Sequence, residues 1–311
     1  MTKKQTAKTQ PASTPRIPAR PDAATPTAVT KTPDGYVGTQ GGVQGAWVVE
    51  CSRRKPKWKY ALAHHAATHL IQYGDVIQIG SGTTFNCLME KIIELQETRR
   101  KAYDLIILTT NLQVLAKGRD AQARDPMFSA MQIVLTGGAL QVSLESLTGE
   151  YAAKGVRYAF INPRTVFLGA AGLTFREKFS ITYQFQDEIS TQVAYATRPT
   201  NHRVILCDHS KLGTKAAWDA ELTIDSLLHD TNECTIISTL PDQGDPEDGA
   251  YAGIIEQEQQ AFQTLIEPIA ANKDYNDKKF AFRLINTAGE VKWEHSLNAI
   301  REQRAKRSQR A

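Results

Sequence analysis

The run Gly80-Ser81-Gly82-Thr83-Thr84 follows directly on the apolar tetrapeptide Val76-Ile77-Gln78-Ile79. A buried strand is expected to end at Ile79, a small-residue turn to follow, and a helix to begin at about Thr84. That succession aims backbone N–H groups, hydroxyls and the positive end of a helix at one point. A phosphate or similar anion can bind there without any charged side chain. The glycines admit a close approach to the backbone, and Ser81, Thr83 and Thr84 add short donors. A tight strand-to-helix turn with no ligand has the same composition, so the surroundings must separate the two readings.

Those surroundings repeat the same unit. Trp58, Leu62, Ala66, Leu70 and Ile71 recur at helical spacing, and Gly74-Asp75 closes that helix before the first strand. Apolar runs over 105–108, 132–135, 165–168, 204–207 and 234–239 predict further strands. The first four run into Thr109-Thr110-Asn111, Thr136-Gly137-Gly138, Gly169-Ala170-Ala171-Gly172 and Asp208-His209-Ser210-Lys211. Short apolar strands alternating with helices predict an α/β fold, a mainly parallel sheet covered on both faces. In such a sheet the strand ends that carry Gly, Thr, Asn, Asp and Lys face one crevice, where ligands bind.

Three segments are expected. Residues 1–45 are rich in Thr, Pro, Ala and Gly with almost no large apolar residues, and read as a disordered arm. Residues 46–240 hold the repeated strand–helix units. Residues 241–311 form a C-terminal extension: a loop over 241–249, a helix over 253–269, a hairpin from 280–285 and 290–293, and a terminal helix bearing Arg301, Arg304, Lys306, Arg307 and Arg310.

Composition narrows the class. The 311 residues are 41% hydrophobic, enough for a real core, and the mean hydropathy is −0.38. No run of eighteen apolar residues calls for a membrane span. The start of the chain lacks the continuous apolar core of a secretory signal. Cys51, Cys87, Cys207 and Cys234 show no CxxC spacing and read as thiols of a reducing, cytoplasmic compartment. His65 and His69 have the i, i+4 spacing of metal ligands, but no third ligand accompanies them, so neither a metal nor a cofactor is expected. The net charge of +4 is concentrated in the two tails, where contact with nucleic acid would be electrostatic and indifferent to sequence.

Taken in order, Gly82-Thr83-Thr84, Thr110-Asn111, Gly137-Gly138, Leu168-Gly169-Ala170-Ala171-Gly172, Glu188 and Asp208-His209-Ser210-Lys211-Leu212-Gly213 form a series. It resembles the C-terminal effector domain of the DeoR family of bacterial sugar-metabolism repressors, over roughly residues 58–240. The resemblance implies the fold of ribose-5-phosphate isomerase, a homo-oligomer, and a phosphorylated sugar or polyol phosphate as ligand. The implied site comprises Gly80, Ser81, Gly82, Thr83, Thr84, Thr110, Asn111, Gly137, Gly138, Gly169, Glu188, Asp208 and Lys211. In it the Gly-Ser-Gly-Thr-Thr turn cradles the phosphate and Lys211 supplies a point charge. Asn111 either bonds a sugar hydroxyl or caps the next helix. Gly137 and Gly138 allow close approach or merely a turn. Asp208 positions Lys211 or caps the turn after it. Glu188 binds a hydroxyl, acts as an acid–base group, or is an exposed helix carboxylate.

The departures matter. The family commonly has Asp where this chain has Gly80, a Gly-Ala-Asp-Gly segment where it has Ala171, and a Lys four residues after its Glu where it has Gln192. Its repressors carry a winged helix-turn-helix before the sensor, and residues 1–57 show no such pattern. Three functions compete: a non-catalytic phosphosugar sensor, a sugar-phosphate isomerase or deaminase, and a scaffold that kept the fold and lost the ligand. The enzyme needs a second carboxylate beside Glu188, which Ala171 removes.

Overall fold

Runs of Val, Ile, Leu and Phe without polar alternation must be covered on both faces, and the strands they form are. The computed structural model describes residues 56–309, apart from 160, 177, 243 and 245 and the side chains of 246 and 247. The arm expected over 1–45 and Cys51 lie outside the described residues.

The chain enters with helix α1 (Pro56–His69), whose Trp58, Leu62 and Ala66 face inward. Strand β1 (Val76–Ile79) leads into α2 (Thr83–Arg99), β2 (Ile106–Thr109) into α3 (Leu112–Arg124), and β3 (Gln132–Leu135) follows. A short antiparallel pair, β4 (Ala139–Gln141) and β5 (Ser146–Thr148), precedes α4 (Gly149–Tyr158). Then come β6 (Thr165–Gly169), β7 (Gly172–Thr174), β8 (Ser180–Tyr183), α5 (Gln186–Thr197), β9 (Thr200–Leu206), β10 (Trp218–Asp219), α6 (Ile224–Leu228) and β11 (Thr231–Thr239). The C-terminal part supplies α7 (Pro246–Gly249), α8 (Ala252–Ala271), β12 (Lys279–Ile285), β13 (Val291–Ser296) and α9 (Leu297–Ser308).

The main sheet has the order β13-β12-β11-β9-β6-β1-β2-β3, parallel throughout except for β13 on β12. The chain builds outward from β1 to β3, returns to the other side of β1 at β6, and builds outward again. The reversal between β1 and β6 is the topological switch point, the place where open α/β sheets bind ligands. Side chains alternate across the sheet: Val166, Leu168 and Ile205 join one core, Phe167, Val204 and Leu206 the other. The strands, helices and hairpin lie where expected, but the loop expected over 241–249 holds the short helix α7 (Pro246–Gly249). The three-residue pairs β4–β5 and β7–β8, with β10 beside β8, are additions that so short a pattern does not announce.

The C-terminal extension continues the sheet. Seven residues of β12 pair in parallel with β11, and Phe262 of α8 packs edge-on to Phe175 and Phe282. Glu258 of α8 is buried and accepts from Phe175 N at 2.6 Å, Thr174 Oγ1 at 2.9 Å and Arg176 Nε at 2.7 Å. At the opposite end β3 is an edge strand with Gln132 and Val134 exposed. Cys207 and Cys234 are buried free thiols, and Cys87 is a half-buried one. Trp218 of β10 is 42% exposed.

Candidate functional site

The C-terminal edge of the sheet gathers the expected residues because every parallel strand ends there. β1 runs into Gly80, whose N–H donates to Phe167 O on β6 at 3.1 Å, so the turn starts pinned across the switch point. Gly82 precedes α2 with φ +115°, a conformation that side-chain-bearing residues rarely adopt. It offers no side-chain cap, so the first turn of the seventeen-residue helix presents its amides beside the half-buried Thr83 and Thr84.

Across the turn stands α5, which brings Glu188 and Gln192 to one face, a single turn apart. Ser81 Oγ donates to Glu188 Oε1 at 2.8 Å. Gln192 Nε2 donates to Ser81 Oγ at 2.8 Å and to Glu188 Oε1 at 3.2 Å. Glu188 is 8% exposed, which removes the exposed-carboxylate reading. Burial pushes its carboxyl up to about 7, against the opposing pull of the Ser81 and Gln192 bonds. Tyr183, whose Oη donates to Gly169 O at 2.9 Å, is pushed well above its ordinary value by burial and by the nearby Glu188.

The other cluster follows β9. Asp208 is buried and accepts from Ser210 N at 3.2 Å and from the Ser210 hydroxyl. Burial raises its carboxyl, but the charge of Lys211, the Ser210 bond and the charge of Lys59 outweigh that and hold it below the usual range. Lys211 ends the short 3-10 turn His209–Lys211 and is half-buried. Because β6 alone separates β9 from β1, Lys211 and the Gly80–Thr84 turn leave the same sheet edge roughly 10 Å apart.

Two further residues complete this cluster. Lys59 on α1 is 5% exposed, and its charge is among those that hold Asp208 low. A signal existed: Lys59 shares the inward helical stripe of Leu62, Ala63 and Ala66, where a lysine is out of place. Asp248 on α7 is fully buried. Its Oδ2 accepts from Trp58 Nε1 at 2.9 Å, and its Oδ1 lies 3.2 Å from His209 Nε2. Thr239 Oγ1 accepts from His209 N–H at 3.0 Å and lies 2.9 Å from His209 Nδ1, while Nε2 faces Asp248. One carboxylate thus ties the neighbour of Lys59 to the turn that carries Lys211.

The remaining expected residues are placed more simply. Asn111 caps α3, its Oδ1 accepting from Gln113 N at 2.9 Å and Val114 N at 3.4 Å, while Nδ2 donates to Asn86 Oδ1 at 3.0 Å. Thr110 N donates to Tyr195 Oη at 3.0 Å and Thr110 O accepts from Ser146 Oγ at 3.0 Å, so its backbone is engaged. Gly137 and Gly138 follow the edge strand, two strands from β1. Gly138 has φ +127°, and a Cβ there would meet Ala152 Cβ at 2.6 Å, so packing of the loop on α4 already requires glycine. Ala171 N donates to Thr182 O at 3.0 Å. His65 is buried with Nδ1 2.7 Å from Gly289 O. Among the described residues there is no group of three His, Cys, Asp or Glu that could hold a metal, and no helix long and apolar enough to cross a membrane.

The sequence model of one family, the DeoR C-terminal sensor domain, matches residues 55–227, more than half of the chain. No curated protein sequence matches. Among solved structures the chain is similar to ribose 5-phosphate isomerase A from Methanocaldococcus jannaschii, with 14% identity, 50% of this chain and 53% of that one covered, and a TM-score of 0.34. For ribose 5-phosphate isomerase from Plasmodium falciparum the values are 15%, 50% and 52%, and 0.35. For eIF2B delta from Chaetomium thermophilum they are 11%, 53% and 52%, and 0.33. The chain spans about half the length of each.

Proposed function

Because this chain belongs to the DeoR C-terminal sensor domain family, we propose that it is a non-catalytic regulatory protein that binds a phosphorylated sugar or polyol phosphate at the β1–β6 switch point. The observation that carries the reading is the convergence of two anion-binding devices on one sheet edge. One is the uncapped start of α2 behind Gly82, with Thr83 and Thr84. The other is the pair of cations, Lys211 and the buried Lys59, around Asp208. A phosphate between them meets backbone dipoles on one side and point charges on the other. The sugar portion then lies over Gly169, Ser81 and Glu188. Assembly as a homo-oligomer, a cytoplasmic location, and sequence-indifferent contact of the basic tails with DNA belong to the same proposal.

The test is calorimetry with inorganic phosphate and a panel of sugar phosphates, backed by thermal shift, since a ligand of the native state raises its melting temperature. Lys211→Ala is expected to weaken phosphate binding by about 1.5–3 kcal/mol, the range for a hydrogen bond to a charged group. Unchanged affinity removes Lys211 from the site, and no binding by any member of the panel leaves the scaffold reading.

One observation favours an isomerase: a carboxyl poised at about 7 suits proton transfer near neutral pH. The missing partner carboxylate at Ala171 weighs against it. A coupled assay with ribose 5-phosphate is expected to show no turnover. Turnover abolished in Glu188→Gln establishes the enzyme instead.

A further inference from the structure

The floor of the crevice holds an acceptor with nothing to accept. Gln192 is 1% exposed, and its Oε1 has no hydrogen-bond partner. The other half of the same carboxamide is fully committed, since Nε2 donates to both Ser81 Oγ and Glu188 Oε1. With Glu188 ionised, turning the amide over would set oxygen against oxygen at 3.2 Å, so this orientation goes with the carboxylate form. Buried polar atoms left this way call for an explanation, a bound water or ligand among them.

The direction of the oxygen says what that something meets. A Cβ placed on Gly80 would lie 3.7 Å from Gln192 Oε1 and 3.2 Å from Phe167 O. Oε1 therefore faces Gly80, which has no side chain to interpose, immediately before the Ser81–Thr84 cradle. On the β6 side, Gly169, Ala170 and Ala171 are half-buried, and the edge of the Phe85 ring lies 3.1 Å from where a Cβ on Gly169 would stand. The two oxygen-bearing side chains of the floor, Glu188 and Gln192, then offer acceptors to this space. Such a floor pairs with a neutral donor and repels an anion.

We propose that Gln192 Oε1 accepts a hydrogen bond from a ligand hydroxyl, and that Gly80 and Gln192 together select a neutral polyol chain over one that ends in a carboxylate. This rests on the reading of the neighbouring turn as a phosphate cradle. Gln192 binds the hydroxylated end and the Lys211 side binds the phosphate, so the two ends can be tested separately.

The probes are inorganic phosphate, ribitol 5-phosphate, sorbitol 6-phosphate, and the two terminal-carboxylate counterparts, 5-phosphoribonate and 6-phosphogluconate. Calorimetry on the full chain is expected to show the better polyol phosphate binding at least about tenfold tighter than phosphate, and tighter than its carboxylate counterpart. Gln192→Met keeps the volume and removes the acceptor. It should lower polyol phosphate affinity by roughly five- to twentyfold and leave inorganic phosphate within about twofold. An unchanged polyol-to-phosphate ratio in Gln192→Met overturns the inference while leaving the cradle intact. If that variant does not fold, equal wild-type affinities for a polyol phosphate and its carboxylate counterpart overturn it equally. No binding of phosphate or of any polyol phosphate to the wild type defeats the cradle reading, and this inference with it.

Discussion

The two sides of the switch point are built on opposite electrostatic plans. On the α5 side, burial holds Glu188 near 7, so the carboxyl is close to half protonated at neutral pH, and its partners are a hydroxyl and an amide. On the β9 side, Asp208 is equally buried yet held below its ordinary value, because Lys211, Ser210 and Lys59 surround it. The same side-chain chemistry is driven in opposite directions by its company. The lesson is that the crevice has a charged end and a neutral end. A ligand that is anionic at one terminus and hydroxylated at the other matches both.

That contrast can be broken from either side. The largest effect is expected from Asp248→Ala, which strips Trp58 Nε1, His209 Nε2 and Asp242 N of a common acceptor inside the protein. Each buried donor left without its acceptor costs about 1–3 kcal/mol, read by urea unfolding. Phosphate affinity should fall with it, because the two lysine-bearing segments lose their tie.

Next comes the pH response of the neutral end. The folded-state pKa of Glu188, about 7, lies above the ordinary 4.5. Its contribution is therefore fully present below pH 4.5 and is lost as pH rises through 7. That loss amounts to about 3 kcal/mol. Urea unfolding of the wild type against Glu188→Gln across this range should show the wild type losing ground as pH rises. Parallel curves sink the assignment. The charged end has the opposite sign: with its folded pKa depressed, Asp208 contributes stability above its ordinary value that is lost as pH falls. Asp208→Asn should lose more relative to wild type at neutral pH than in acid.

A smaller effect is expected at Asn111. Its carboxamide oxygen is occupied by the start of α3, so Asn111→Ala should cost about 1 kcal/mol of stability, the worth of a helix cap. Polyol phosphate affinity should stay within about twofold. A much larger loss of affinity would return Asn111 to the ligand.

Both ends were legible wherever the signal is local. The apolar run before Gly80 and the small residues after it fix a strand, a turn and a helix from neighbours in sequence. The same holds for the strand ends at Asn111, Gly169 and Asp208, while Glu188 was singled out by the family series and not by a local pattern. What stayed hidden depends on separation. The contact of Trp58 with Asp248 spans 190 residues, and that of His209 with Asp248 spans 39. No local pattern predicts such pairs. Lys59 was legible in principle as a cation on an apolar stripe, yet Trp58 and Leu62 dominated that stripe. The state of Gln192 was hidden because an unpaired oxygen is a property of its surroundings, not of its position in a helix.

The parallel pairing of β12 with β11 bears on where this protein can be cut. The family match ends at residue 227, ahead of β11, and so invites an expression boundary near 240. Such a cut would bare the whole length of β11, seven residues of which are hydrogen-bonded to β12. It would also uncover Phe175 by removing Phe262 and Phe282. An exposed apolar edge strand, paired on one side only, is a template for self-association. Fragments ending there are expected to precipitate or to form β-linked aggregates. The smallest soluble piece should run on at least through Ser296, carrying its charged outer strand with Lys292 and Glu294 as the protective border.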